Sequence, residues 1–247
     1  MAASFNSVTP ALLDELRRVL GDKFVKTDDD YLERYQTDEE GNSHYFHKPE
    51  VVVFPGSTEE VAEVVKLANK YLVPITPRSA GSGVPAAYPC LSRIVVELER
   101  MNQILTFDAD NMYAVCQTGV ITGDLQREAA KHGLLYAGDP SSADSSMIGG
   151  NVANNAGGNK AVKYGTTRNQ IYSLKVVTPT GDILDAGARL KKCSTGLCWN
   201  SSLPARKASS ASLRKSRSNS APCRRIPSIW SAYSRPMKKP SPCRIKF

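Results

Sequence analysis

The last fifty residues of this chain, Cys198 to Phe247, contain no aspartate, no glutamate and no glycine, although 24 acidic residues and 17 glycines lie upstream. Such a stretch lacks the charge pairs and tight-turn residues of an ordinary domain surface. It holds instead 12 Lys or Arg, 12 Ser and 6 Pro. The chain's net charge of +8 therefore misleads. Residues 1–197 carry 20 basic and 24 acidic residues, a net −4, and the tail alone adds +12. An acidic body is a poor binder of phosphate backbones, so the charge balance excludes a nucleic-acid reading of the body and leaves only the tail as a basic arm.

Metal-ligand spacing is also missing. Six cysteines form no CxxC or Cys/His pattern, and the three histidines include one near pair, His44-x-x-His47, for which a surface or core role is the simpler reading. No stretch is long and apolar enough to span a bilayer, and the first residues show no basic segment followed by an apolar run. Together these point to a reducing, cytoplasmic setting with no metal and no transmembrane segment.

What is present reads as mixed helix and strand. Thr9-Pro10, followed by Leu12, Leu13, Leu16, Val19, Leu20 and Gly21, predicts an amphipathic helix with an N-cap, a proline at its first position and a glycine stop. Residues 22–48 are polar and acidic and read as a loop with short turns. Val51 to Phe54 reads as a buried strand, and Ser57-x-x-Glu60 as a capping box opening a helix with the stripe Val61, Val64, Val65, Ala68. Val73 to Thr76 reads as a second strand. This is a strand–helix–strand unit, whose loop Pro77 to Gly83 falls at a strand's carboxyl end, where such sheets bind ligands. Ile94–Leu98 and Tyr113–Gln117 read as further strands, Gly123–His132 as a helix, and Lys175–Leu184 as a hairpin.

Two segments carry chemistry. Pro77-Arg78-Ser79-Ala80-Gly81-Ser82-Gly83 combines one cation with two glycines after a strand, so backbone N–H groups and Arg78 could hold a pyrophosphate; a tight turn with a surface arginine fits equally well. Ile148-Gly149-Gly150-Asn151-Val152-Ala153-Asn154-Asn155-Ala156-Gly157-Gly158 has four glycines, three asparagines and no charge. It can bring bare backbone against a flat polar cofactor.

With Asp139-Pro140-Ser141-Ser142 before this segment, Val162-Lys163-Tyr164-Gly165 after it, and Val176 to Gly181 further on, the chain resembles the FAD-binding oxidoreductases of the vanillyl-alcohol oxidase (p-cresol methylhydroxylase) type. The glycolate oxidase FAD-subunit and D-lactate dehydrogenase group is the most similar. Five motifs of that group (PRxxGxG, DPSS, IGGNVANNAGG, VKYG, VVxPTG) occur in order between about Pro49 and Leu197. The resemblance implies an α+β fold of two small α/β lobes (about 49–110 and 111–197) around FAD, preceded by a helical extension over 1–48. It implies that Arg78 to Gly83 wrap the pyrophosphate, that Pro140 to Ser142 and Met147 to Asn151 line the flavin and ribityl chain, and that Asn154, Asn155, Gly157 and Gly158 meet the ring edge, with Tyr164 and Gly165 beside them. Members that attach flavin covalently carry a histidine near Ser82, so here the flavin is expected to be non-covalent. The implied activity is oxidation of a 2-hydroxy acid, D-lactate or glycolate, by hydride transfer to flavin N5, with electrons leaving to an electron-transfer flavoprotein or iron–sulfur subunit. The group's substrate-facing residues, including an HxGDGNxH motif, have no counterpart in these 247 residues, so no catalytic residue is assigned.

The resemblance stops after Ser194-Thr195-Gly196. The family continues with a leucine-rich helix, a turn like GSEGTLGI and an alternating strand. A one-base displacement of the reading frame accounts for the change. Serine codons of the TCN type conceal Phe, Leu, Ile or Val, and lysine codons conceal Glu, Gln or Lys. Back-translating Trp199 to Pro222 with suitable synonymous bases and stepping back one base gives LEQLLASPEGILGIITKVTVKLRP, which resembles the missing segment. Residues 198–247 are accordingly expected to be a displaced, disordered tail rather than a genuine basic arm.

Overall fold

The computed structural model describes residues 5–37, 39, 46–83 and 93–187, together with the backbone of 229–234 and 236–238. In chain order its elements are α1 (Pro10–Leu20), β1 (Val25–Lys26), α2 (Asp29–Leu32), β2 (Val51–Val53), α3 (Thr58–Tyr71), β3 (Ile75–Arg78), β4 (Ile94–Glu97), β5 (Ile104–Asp108), β6 (Tyr113–Cys116) and α4 (Thr122–Lys131). There follow β7 (Leu134–Tyr136), α5 (Ile148–Asn154), α6 (Ala161–Tyr164), α7 (Thr167–Gln170), β8 (Ile171–Val177), β9 (Ile183–Gly187), β10 (Ile229–Ser234) and β11 (Pro236–Lys238).

The first sheet has the order β1-β2-β4-β3, with β2 and β3 both parallel to β4. Its helices begin where side chains can cap them. The Leu12 N–H donates to Thr9 Oγ1 at 3.3 Å, and the Glu60 N–H to Ser57 Oγ at 3.1 Å. The Glu60 carboxylate reaches one residue further back than a capping box requires and accepts from the Gly56 N–H at 2.7 Å. Leu12 and Leu16 of α1 are fully buried in one core with Val61, Val64, Val65 and Ala68 of α3 and with Val51, Val53, Ile94 and Val96 of the sheet.

The second sheet runs β5-β6-β10-β8-β9, antiparallel throughout, and packs α4 and α5 over a core that includes Cys116, Leu125, Ile148, Val152 and Leu174. The expected hairpin is β8–β9, and its turn residue Gly181 lies against Lys66 and Ala62 of α3, tying the two halves together.

Three expectations change. Residues 22–48 are not merely loop: Val25 pairs with Val53, and Tyr31 and Tyr35 pack on Phe54 at ring separations of 6.1 and 6.2 Å. The supposed extension is thus built into the first lobe. The division near residue 110 moves upstream, because β5 pairs with β6 and belongs to the second sheet. The tail also departs from full disorder: β10 fills the position between β6 and β8, and β11 pairs with β7. The rest of the tail, and with it most of the segment read as frame-displaced, lies outside the described residues, as do His44 and the cysteines other than Cys116.

Candidate functional site

The glycine segment is not a loop between strands. Its first seven residues form α5, and the glycines are there because the helix is wedged against two strand ends. The Ile148 N–H donates to the Val120 carbonyl at 2.9 Å, and the Gly149 N–H to the Thr118 carbonyl at 2.8 Å, both just beyond β6. A Cβ on Gly149 would lie 2.9 Å from Thr118 Cβ; one on Gly150 would lie 3.3 Å from Ser79 Cβ, just beyond β3. Close approach therefore overrides the poor helix propensity of consecutive glycines. The strand end carrying Ser79 and the strand end carrying Thr118 come from different sheets and meet on adjacent residues of one helical turn.

Both residues present an orphaned hydroxyl. Ser79 Oγ and Thr118 Oγ1 are buried and have no hydrogen-bond partner among the described residues. Leaving such a group unsatisfied costs on the order of 1–3 kcal/mol, and a polar ligand laid along Gly149 and Gly150 relieves that cost. Glycine backbone with a hydroxyl on each side suits a phosphate- and polyol-bearing cofactor, so the residues present fit FAD.

Several expected contacts are already spent within the protein. Asn151 is buried and donates to Thr122 Oγ1 at 2.5 Å, locking α5 to the start of α4. Asn155 sits in the left-handed region at φ 52°, and its Oδ1 accepts from Thr166 Oγ1 at 2.8 Å and from the Arg168 N–H at 2.9 Å, fixing α7. Gly165 also has positive φ, 82°, against the Asn169 side chain. The Tyr164 carbonyl accepts from Gln170 at 2.7 Å. Gly158 packs backbone to backbone on Asp139 and Pro140, which brings the DPSS turn, closed by the Ser146 N–H on the Ser142 carbonyl at 2.7 Å, beside the glycine segment. Met147 is the residue before α5; Asn154, Gly157 and Ser141 are exposed.

Arg78 differs most from its expected role. Its guanidinium lies beneath the loop it begins: Cζ is 4.7 Å from the Tyr35 ring centroid, and Nη1 is 3.8 Å from Glu97 Oε2. A Cβ on Gly81, at φ 68°, would lie 2.8 Å from Arg78 Cζ, so the loop folds directly onto the guanidinium. Pro77 is within β3. Ser79 to Gly83 form the irregular loop itself, bearing the positive charge underneath rather than at its rim. Glu97 was not expected at all. It is 3% exposed, and burial pushes its carboxyl up to about 8 against the opposing pull of Arg78. The signal was present in the sequence as one acid closing the apolar run Ile94-Val95-Val96.

A cleft of about 450 Å³ lies nearby, lined by Glu99, Arg100, Gly119, Ile121, Asp124 and Met147. Its one cation is engaged by the Phe54 carbonyl and by Glu60 at 3.6 Å, and two acids face it, so it suits no pyrophosphate. Among the described residues no helix is long and apolar enough to cross a membrane, and no cluster of three or more His, Cys, Asp or Glu could hold a metal.

Residues 49–187 match the family model described as an FAD binding domain. The chain is 43% identical over 188 residues to a D-2-hydroxyglutarate dehydrogenase of Stutzerimonas stutzeri, covering 76% of this chain and 40% of that one. It is 41% identical over 193 residues to a D-lactate dehydrogenase of Anaerostipes hadrus, covering 78% and 40%. The chain thus spans about 40% of the length of these relatives. The solved structure of p-cresol methylhydroxylase with substrate bound superposes with a TM-score of 0.73 at 22% identity, over 94% of this chain and 45% of that one, which establishes the shared fold. Matched by that model over residues 49–187, the chain belongs to the FAD-binding domain family of flavin-dependent oxidoreductases.

Proposed function

We propose that residues 49–187 are the flavin-holding half of an enzyme that oxidises a 2-hydroxy acid. The observation that carries the flavin-holding role is the pair of buried hydroxyls, Ser79 and Thr118, which have no hydrogen-bond partner among the described residues and bracket Gly149 and Gly150. When bound, FAD supplies the hydride acceptor for oxidation of the substrate's carbinol carbon to a carbonyl. This chain's residues hold and orient it: the Ser79–Gly83 loop meets the pyrophosphate, and α5 with the Pro140–Ser142 turn meets the polyol and ring. Ser82 stands near the position where members of the group that attach flavin covalently carry a histidine, so in this reading the cofactor is held non-covalently. The relatives are named for D-2-hydroxyglutarate and D-lactate, which supports a small 2-hydroxy acid as the substrate class. The electron acceptor in this reading is a partner flavoprotein or iron–sulfur protein, and the setting is cytoplasmic.

The same reading makes this chain a flavin binder that does not turn over hydroxy acid. Hydride transfer needs the substrate held at the ring in a reactive pose, and losing that positioning costs about 7–11 kcal/mol of barrier. The tail is out of frame in this proposal and so does not encode the segment with which the family continues. Purified 247-residue chain is titrated with FAD, acid-precipitated to recover free flavin, and assayed for dye reduction with D-lactate, D-2-hydroxyglutarate and glycolate beside the frame-restored protein. The expected result is saturable, acid-releasable FAD in both and substrate-dependent reduction in the restored protein alone. Folded protein without saturable FAD binding overturns the reading of the site; comparable turnover by both overturns the reading of the tail.

A further inference from the structure

Resting on the reading of the site as an FAD cradle, we propose that Glu97 is a proton-dependent regulator of the charge under the cofactor loop, so that FAD binds together with a proton. The argument begins with register. Arg78 and Glu97 are direct partners on the parallel strands β3 and β4, so both side chains leave the sheet on the same side. Arg78 cannot swing away to serve a ligand from elsewhere: its guanidinium has Tyr35 on one face, and Gly81 folded onto it.

The net charge beneath Ser79–Gly83 is then set by Glu97. Ionised, the carboxylate at 3.8 Å offsets the guanidinium; protonated, it leaves a full positive charge below a loop that meets an anionic pyrophosphate. The groups facing Glu97 are few. Arg78 approaches from β3 and Tyr35 from the turn after α2; Glu99 lies in the turn just after β4, and the Leu98 N–H donates to Glu97 Oε1 at 3.1 Å. Tyr35 is neutral across the working range, its phenol pushed well above its usual value by burial, and Glu99 opposes ionisation of Glu97. Among the described residues Arg78 and a single N–H favour the carboxylate, and a bound pyrophosphate weakens that balance further. The sign follows: ligand anion near Glu97 raises its proton affinity, so binding takes up a proton and weakens as pH rises.

The test measures FAD dissociation constants of the 247-residue chain from pH 6.5 to 8.5, for the wild type and Glu97→Gln. Calorimetry at pH 8 in two buffers of different ionisation enthalpy counts protons in the wild type alone, so the answer survives if the variant folds poorly. The expected result is wild-type affinity falling about two- to fourfold across the range, a flat profile for Glu97→Gln at the tighter limit, and net proton uptake on binding. Wild-type binding that is flat with pH and takes up no proton overturns the inference while leaving the cradle intact, as does a folded Glu97→Gln that tracks the wild type. Absence of FAD binding at every pH overturns the cradle and the inference together.

Discussion

Gly158 packs against the Asp139 carbonyl so closely that a Cβ there would overlap that oxygen and come within 3.1 Å of the Pro140 nitrogen. Neither obstacle is a side chain able to turn aside. Gly158→Ala must therefore separate the glycine segment from the DPSS turn, at the cost of overpacking, about 1–3 kcal/mol. Its neighbour provides the control: a Cβ on Gly157 would sit 3.5 Å from Thr166 Cγ2, an ordinary contact. Chemical unfolding of the two variants should show a clear loss for Gly158→Ala and a change within about 0.5 kcal/mol for Gly157→Ala. Equal effects would mean the contact is not what the glycine serves.

Ser79→Ala and Thr118→Val remove hydroxyls that have no hydrogen-bond partner among the described residues. In a structure that satisfied them internally each change would destabilise the apo form. Here the apo melting temperature should be unchanged or slightly raised, while FAD affinity falls by about three- to tenfold for each, the worth of one hydrogen bond of roughly 0.5–1.5 kcal/mol. Thermal scans with and without FAD decide it. A drop in apo stability with unaltered FAD affinity would assign the hydroxyls to the scaffold.

Helix α1 lies outside the family match, which begins at residue 49, yet Leu16 is fully buried against the core of the first lobe. Leu16→Ala should cost about 2–5 kcal/mol, the range for a large-to-small change in a packed interior. Thr9→Ala, losing only the N-cap, should cost about 1 kcal/mol. Near-neutral values for Leu16→Ala in denaturant melts would show α1 to be an appendage.

The sequence disclosed whatever had a local cause. Thr9 and Ser57 sit before apolar stripes of helical period, and both cap helices; the apolar runs at Val51 and Ile94 are strands. Short elements defined by their partners stayed hidden. β1 is two residues long and exists because it pairs with β2, and β5 carries exposed Leu105 with a half-exposed pattern that no periodicity marks. The composition of the glycine segment points to close approach, but what approaches is protein as well as ligand. Thr118 had no sequence signal, since only the fold brings it to Gly149. An arginine in a glycine loop reads as a ligand contact, yet Tyr35 and Glu97, which flank Arg78, lie 43 and 19 residues away, and only tertiary packing and the sheet register bring them to it.

The same buried carboxyl sets a dependence of stability on pH. Glu97 has its folded-state value raised from 4.5 to about 8, so between those limits the folded chain holds a proton that the unfolded chain has released. With more protons bound in the native state, stability falls as pH rises from about 4.5 to 8 and this contribution is flat above that. A tenfold difference in proton affinity between the two states is worth about 1.4 kcal/mol, so the loss across this range is on the order of a few kcal/mol. Glu97→Gln keeps the shape and cannot ionise. Denaturant unfolding at pH 5, 6.5 and 8 should show the wild type losing stability across the series relative to the variant, with the variant the more stable at pH 8 and the two close at pH 5. Parallel curves would mean that Glu97 stays ionised in the fold, its charge held fully by Arg78 rather than suppressed by burial.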